Sequence, residues 1–280
     1  MKLTIWGTRG SIPAPGDKTV QVGGNTTCME IEPVNGPRII IDAGTGIRTL
    51  GMKLMKDADP DPIVLLLTHS HWDHLAGFTF FQPAYNPNFS IDVYGNKMAK
   101  EVLKRDIFDR HDNRYFPVNM DDFRAKFTFH DELPDPFEVG DISISTMDLN
   151  HPGNGYAYKF EHAGKSIVFA TDNELGKQYP GGNSPQDIRD FCQNVDLLLH
   201  DAQYLPSEIQ NHIGWGHSTY EEVLNLAADA RIKHVTFIHH DPERDDDGCH
   251  ALLEDAKKYE KSKKYNIECE LGIEGASFTV

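Results

Sequence analysis

The chain of 280 residues carries 43 acidic against 27 basic side chains, a net charge of −16. A surface of that sign repels long polyanions and counts against a nucleic-acid polymer as partner. Hydrophobic residues make up 39% and mean hydropathy is −0.49, enough apolar mass for a sizeable core, while no run approaches the roughly 18 apolar residues of a membrane helix.

The N-terminus lacks the long apolar stretch and small-residue cleavage site of a signal peptide. None of the cysteines, Cys28, Cys192, Cys249 and Cys269, forms a C-x-x-C pair. Reduced, buried thiols in a cytoplasmic protein are expected, and a cysteine zinc knuckle is not.

Residues 1–7 read as a first strand, followed by a Gly/Pro loop at 7–16 and a turn at 23–27. The loop lacks the G-x-G-x-x-G form and no clear helix follows it, so a dinucleotide site is a poor reading and a turn leading to a site a better one. Strands at 28–32 and 38–41 come next, the second ending in Asp42-Ala43-Gly44-Thr45-Gly46. Asp42 suits either a helix cap or a carboxylate that orients a metal-binding histidine from behind. Ile47, Leu50, Leu54 and Met55 then recur at helical spacing over 47–56.

The run Ile63-Val64-Leu65-Leu66-Leu67 predicts a buried strand, and directly after it stands Thr68-His69-Ser70-His71-Trp72-Asp73-His74. Imidazole and carboxylate are ligands a divalent transition metal takes. Alternation lets His69 and His71 project to one side while Asp73 and His74 turn to another, so one loop can begin two metal sites.

Residues 75–137 are mixed and rich in rings: Phe78, Phe80, Phe81, Tyr85, Phe108, Tyr115, Phe116 and Phe123. Most are expected in the core or under a loop cover, with a subset able to wall a pocket for a flat ligand. Arg105, Arg110, His111 and Arg114 suit either a phosphate or a solvated helix face, and residues 83–137 are a candidate lid.

Further strands are expected at 142–147, leading to His151, and at 156–160 and 165–170, a hairpin whose second arm ends in Thr171-Asp172-Asn173. A carboxylate such as Asp172 can bridge two metals. Leu197-Leu198-Leu199-His200-Asp201 is another apolar strand with an acidic end. Ser218 with Glu221 predicts a capping box for a helix to about Ala230, with His217 just outside its N-terminus. The strand 235–238 ends in His239-His240-Asp241-Pro242. Asp245-Asp246-Asp247 lacks the ligand spacing of a calcium loop, and a helix from about 249 to 261 and an edge strand close the chain.

The motif His69-x-His71-x-Asp73-His74, with Asp42, His151, Asp172 and His239 each after an expected strand, resembles the metallo-β-lactamase superfamily, in motif order over nearly the whole chain. The resemblance implies a single domain over 1–280 with the α/β fold of an αββα sandwich. It implies one metal held by His69, His71 and His151 and a second by Asp73, His74 and His239, with Asp172 bridging and Asp42 behind the ligands. His239 rather than His240 is the expected last ligand because it directly follows its strand. Gly216-His217-Ser218-Thr219 and Leu199-His200-Asp201-Ala202-Gln203 are similar to elements of the ribonuclease Z and phosphodiesterase branch. By that resemblance Asp201 orients His217, and His217 assists cleavage of a phosphodiester.

Ribonuclease Z inserts a long RNA-gripping arm between its third-motif histidine and its bridging aspartate, and here one hairpin separates His151 from Asp172. The Gly-rich turns and the 239–242 end look more like small cyclic nucleotide phosphodiesterases of this fold. The expectation is hydrolysis of a 3′,5′-cyclic nucleotide through two zinc ions, with manganese the alternative metal and Asp73 or Asp172 holding the proton of the activated hydroxide. A small phosphodiester substrate, no membrane and a homodimer are expected. The alternatives are RNA 3′-end processing, hydrolysis of a 2′,3′-cyclic or other small phosphodiester, and a metal-stabilised nucleotide-binding protein.

Overall fold

Two seven-stranded sheets organise the chain in a computed structural model, which describes residues 1–56, 60, 62–105 and 122–280. The first sheet has the order β14-β1-β2-β3-β4-β5-β6. Its strands are β1 (Lys2–Gly7), β2 (Cys28–Glu32), β3 (Arg38–Ile41), β4 (Ile63–Leu67), β5 (Ser90–Gly95), β6 (Lys126–Phe129) and β14 (Ser277–Thr279). The second has the order β13-β12-β11-β10-β9-β8-β7. It comprises β7 (Phe137–Val139), β8 (Ile142–Asp148), β9 (Tyr156–His162), β10 (Lys165–Ala170), β11 (Leu197–Asp201), β12 (His234–Ile238) and β13 (Glu268–Leu271).

The apolar runs are explained by two-sided burial. In β4, Val64 and Leu66 enter the core between the sheets, while Ile63, Leu65 and Leu67 pack outward beneath α1 (Gly46–Leu54). In β11, Leu197 and Leu199 face the other sheet and Leu198 faces the helix layer. That layer is built by α3 (Pro185–Phe191), α4 (Tyr220–Asp229) and α5 (Asp246–Lys263). A strand covered on both faces loses the alternation of a half-exposed one, and each fully buried Leu or Ile contributes about 1.5–3 kcal/mol. The result is the αββα sandwich expected.

β3 to β6 run parallel, as do β10 to β13. The carboxyl ends of β3, β4, β10, β11 and β12 therefore gather at one end of the sandwich, where open α/β sheets bind ligands.

Several boundaries differ from expectation. The α4 capping box is Thr219 with Glu222, one residue later than Ser218 with Glu221. The Ser218 hydroxyl is already engaged, donating to Asn173 O and accepting from Leu175 N–H. Asp245-Asp246-Asp247 is the start of α5: Asp245 caps it and Asp246 accepts from the backbone of Gln21 and Val22, and acidic groups suit a helix N-terminus.

Within the candidate lid, β5, α2 (Lys97–Leu103), β6 and part of β7 are regular elements of the fold. Phe78, Phe81 and Phe123 are buried in the core outside the first sheet and Phe80 is exposed. Phe108, Arg110, His111, Arg114, Tyr115 and Phe116 lie outside the described residues. All four cysteines are free and buried, and among the described residues no helix is long and apolar enough to cross a membrane.

At the sheet edge, His234 on β12 is hydrogen-bonded to Glu270 on β13. That bond holds its pKa above the usual histidine value. A raised folded-state pKa gives stability that is present below the unfolded value, near 6.5, and is lost as pH rises through the folded value. Because both side chains are partly exposed, Glu270→Gln should destabilise by less than about 1 kcal/mol near pH 6 and by nothing near pH 9. Parallel urea unfolding curves test this, and an equal effect at both pH values would contradict it.

Candidate metal centre

The backbone turns sharply where three strands deliver their site residues. Asp42 (φ 59°), Asp172 (φ 53°) and His239 (φ 58°) all adopt the left-handed conformation just past β3, β10 and β12. Such non-glycine positions store about 1–3 kcal/mol each and cluster at functional sites. The turns swing side chains from both sheets toward the loop after β4.

Among the described residues two groups of candidate ligand atoms result, each with all its members within 4.8 Å of one another: His69, His71, His151 and Asp172, and Asp73, His74, Asp172 and His239. Asp172 belongs to both. Its Oδ2 lies 3.6 Å from His69 Nε2 and 3.9 Å from His151 Nε2. Its Oδ1 lies 3.4 Å from His74 Nε2 and 3.2 Å from His239 Nε2. Asp73 Oδ2 is 3.3 Å from His74 Nε2 and 3.1 Å from His239 Nε2.

The imidazoles are oriented from behind. His74 Nδ1–H donates to Asp42 Oδ2 at 2.7 Å, and Asp42 also accepts from the Thr68 backbone and hydroxyl, both at 2.8 Å. With its proton given to Asp42, Thr68 Oγ1 accepts from His69 Nδ1–H at 3.0 Å. His151 Nδ1–H donates to Gly216 O at 3.1 Å and His239 Nδ1–H to Gln203 Oε1 at 2.9 Å. With Nδ1 engaged in this way, four rings direct Nε2 inward, the nitrogen that a metal-binding histidine offers. His71, the exposed member, presents Nδ1 instead, 3.0 Å from His151 Nε2.

This donor set fits divalent cations. His69 Nε2 and His74 Nε2 are buried without a hydrogen-bond partner, and a buried nitrogen of that kind needs a specific explanation. Burial drives His69 well below the usual histidine range and His151 down to about 4, leaving both neutral. Burial opposes charge on Asp73 and Asp172 as well, yet His74 and His239 outweigh it and hold both carboxyls well below their usual range. Burial likewise disfavours charge on His74 and His239, but the surrounding aspartates win and raise both. The result is two buried carboxylates, held in the ionised form, facing imidazole nitrogens.

Asp42 is fully buried and accepts three hydrogen bonds. Asp42→Ala strands three buried donors and should destabilise the fold by about 3 kcal/mol. Urea unfolding checks this, and a loss under about 1 kcal/mol would show the Asp42 network to be dispensable.

His217 is 7% exposed and belongs to neither ligand group. Its ring stacks on His239 at 4.9 Å and lies 5.5 Å from His151. Asp201 does not orient it by a hydrogen bond. The closest approach, to His217 Nδ1, is 3.6 Å, because the Asp201 oxygens accept from Asn173 N–H at 2.9 Å and Ser218 N–H at 2.8 Å. Asp201 thus ties the Asp172 turn to the His217 turn through their backbones. His240 faces away, bonded to Gly272 O, and burial takes it down to about 3.

Sequence reasoning missed Gln203 as the partner of His239, the Gly216 carbonyl and the Ser11 N–H, which donates to Asp73 Oδ2 at 2.8 Å. Glycine is required at 216: a Cβ there would stand 1.9 Å from His151 Nδ1.

The sequence model of the β-lactamase superfamily domain matches residues 37–240. The chain is 23% identical to ribonuclease Z of Nitrosopumilus maritimus over 85% of its own length and 89% of that protein's. It is 23% identical to ribonuclease Z of Thermoplasma acidophilum over 92% and 91%. Among solved structures, unliganded yeast PDE1 matches with a TM-score of 0.74 at 14% identity, covering 100% of this chain and 99% of that one. The short form of human tRNase Z matches with 0.69 at 17% identity, covering 100% and 99%. Likeness at such identities shows the fold, and the sequence model, with the histidine–aspartate loop within its span, shows the family: this chain belongs to the metallo-β-lactamase superfamily.

Proposed function

We propose that the chain is a dinuclear metallo-phosphodiesterase that hydrolyses 3′,5′-cyclic nucleotides. The observation that carries the dinuclear reading is the division of the Asp172 carboxylate, one oxygen toward His69 and His151 and the other toward His74 and His239. His69, His71 and His151 would hold one cation, Asp73, His74 and His239 the other, and Asp172 would bridge them. Zinc suits the nitrogen-rich set, with manganese second. Two such cations lower the pKa of water toward neutrality and offset the charge that develops on a phosphoryl group.

The chain's own groups do the rest. Asp42, Thr68, Gln203 and the Gly216 carbonyl fix the direction of each ring, and Ser11 N–H fixes Asp73. His217, packed beside His239 but outside the ligand groups, is placed to give a proton to the leaving oxygen. In this reading Asp201 is a positioning residue that holds the turn bearing His217.

A small substrate is favoured by the short β9–β10 hairpin between His151 and Asp172, which leaves no room for an RNA-gripping arm, and by the net charge of −16. The second reading, RNA 3′-end processing, is favoured by the relatives named ribonuclease Z over most of the chain. Turnover by zinc- and manganese-loaded protein separates them on a panel of 3′,5′-cyclic AMP, GMP, CMP and UMP, a 2′,3′-cyclic nucleotide and a precursor transfer RNA. Cleavage of the 3′,5′-cyclic nucleotides alone is expected. Preferential cleavage of the RNA, or of nothing on the panel, overturns the substrate assignment.

A further inference from the structure

A chain of aromatic rings runs from the candidate centre to the surface. The His217 ring, stacked on His239, lies 5.9 Å from that of Tyr204. Tyr204 is buried and stacks on His212 at 4.1 Å and 12°. His212, half-buried, meets Trp215 edge-on at 4.9 Å. Trp215 ends the series with 60% of its surface exposed.

An exposed tryptophan alone says little, but here the loop beneath it is fixed. Glu174 is a buried carboxylate that accepts from Gly214 N–H at 2.9 Å, Gly216 N–H at 3.0 Å and the Tyr179 hydroxyl at 2.6 Å. Trp215 N–H donates to His212 O at 3.0 Å. The next residue, Gly216, gives its carbonyl to His151. The indole is thus held one residue from a backbone group that orients a candidate metal ligand, and two residues from His217. A ring pre-placed on a pinned loop loses little conformational freedom when a flat ligand covers it.

We propose that Trp215 is a base-stacking residue, and that residues 212–217 form the nucleobase side of the site. The proposal rests on the phosphodiesterase reading and adds what the substrate carries beyond its phosphate: a planar base, laid against the indole while the phosphate meets the histidine–aspartate cluster. Stacking of this kind is tolerant of base identity, since every base has a π-face. Trp215 would therefore separate nucleotides from other phosphate esters more than it separates one nucleotide from another.

Calorimetric titration of the zinc-loaded protein with AMP and with ribose 5-phosphate tests this without turnover. AMP should bind on the order of 10-fold more tightly or better, the size of one base–aromatic stack. Trp215→Ala should bring the two ligands to within about 2-fold, and Trp215→Phe should keep most of the preference. A preference unchanged in Trp215→Ala overturns the proposal, as does the absence of preference or of AMP binding in the wild-type protein. Size-exclusion chromatography supplies a further outcome: if Trp215→Ala dissociates an oligomer while the preference persists, the indole is a subunit contact and the proposal falls. Hydrolysis of bis(p-nitrophenyl) phosphate by the wild-type sample tests the phosphodiesterase reading separately. An AMP preference lost in Trp215→Ala, with no hydrolysis in wild type, sinks that reading and leaves the stacking surface standing.

Discussion

Asp172→Asn is expected to lower phosphodiester turnover on the order of 10³-fold or more and to reduce the bound metal per chain. Asparagine tolerates the left-handed backbone found at residue 172 (φ 53°), so the fold should survive the exchange. It cannot keep two acceptor oxygens. One face of the amide presents N–H donors, either toward His69 and His151 or toward His74 and His239, where the carboxylate now offers Oδ2 and Oδ1. A donor pointed at a cation position removes a ligand and adds repulsion. Metal analysis beside steady-state rates checks the prediction, and full metal content with wild-type turnover would show that Asp172 does not bridge.

His217→Ala is the second large effect and separates chemistry from metal binding. His217 lies against the ring of His239 yet outside both groups of candidate ligands. Its removal should leave metal content unchanged and slow turnover on the order of 10²-fold, the range of a lost general acid. The loss should shrink for substrates with a good leaving group, such as p-nitrophenolate, which needs no proton. An equal loss for good and poor leaving groups would assign His217 to packing or charge stabilisation, and a fully active variant would remove it from the mechanism.

The candidate ligand groups were largely legible in the sequence because their parts obey local rules. His69, His71, Asp73 and His74 sit in one loop after an unmistakable apolar strand, and His151, Asp172 and His239 each follow a strand end. Of His239 and His240, the sequence favours the first, and the backbone brings that ring into a candidate group: the left-handed turn at 239 sends it inward, while the next ring goes to Gly272 O. The α4 cap was ambiguous because Ser218-Thr219-Tyr220-Glu221-Glu222 contains two overlapping capping boxes. Only the tertiary use of the Ser218 hydroxyl decides between them.

Other features left little or no signal. The Ser11 N–H and the Gly216 carbonyl are backbone groups, which every residue carries, so their aim at Asp73 and His151 follows from loop geometry alone. Gln203 depends on the approach of β11 to β12. By contrast, β5 had a readable pattern, with Ile91 and Val93 buried between half-exposed Asp92 and Tyr94, although the surrounding aromatic residues obscured it. Asp201 approaches His217 to 3.6 Å without a hydrogen bond, its carboxylate taking the backbone N–H groups of Asn173 and Ser218 instead.

Native mass spectrometry of the zinc-loaded protein tests most directly the claim that one carboxylate joins two metal positions. Two zinc ions per chain are expected in the wild-type protein, with the second lost in Asp172→Asn. A wild-type chain that saturates with one ion, or binds none, would contradict the dinuclear centre and the hydrolytic mechanism built on it.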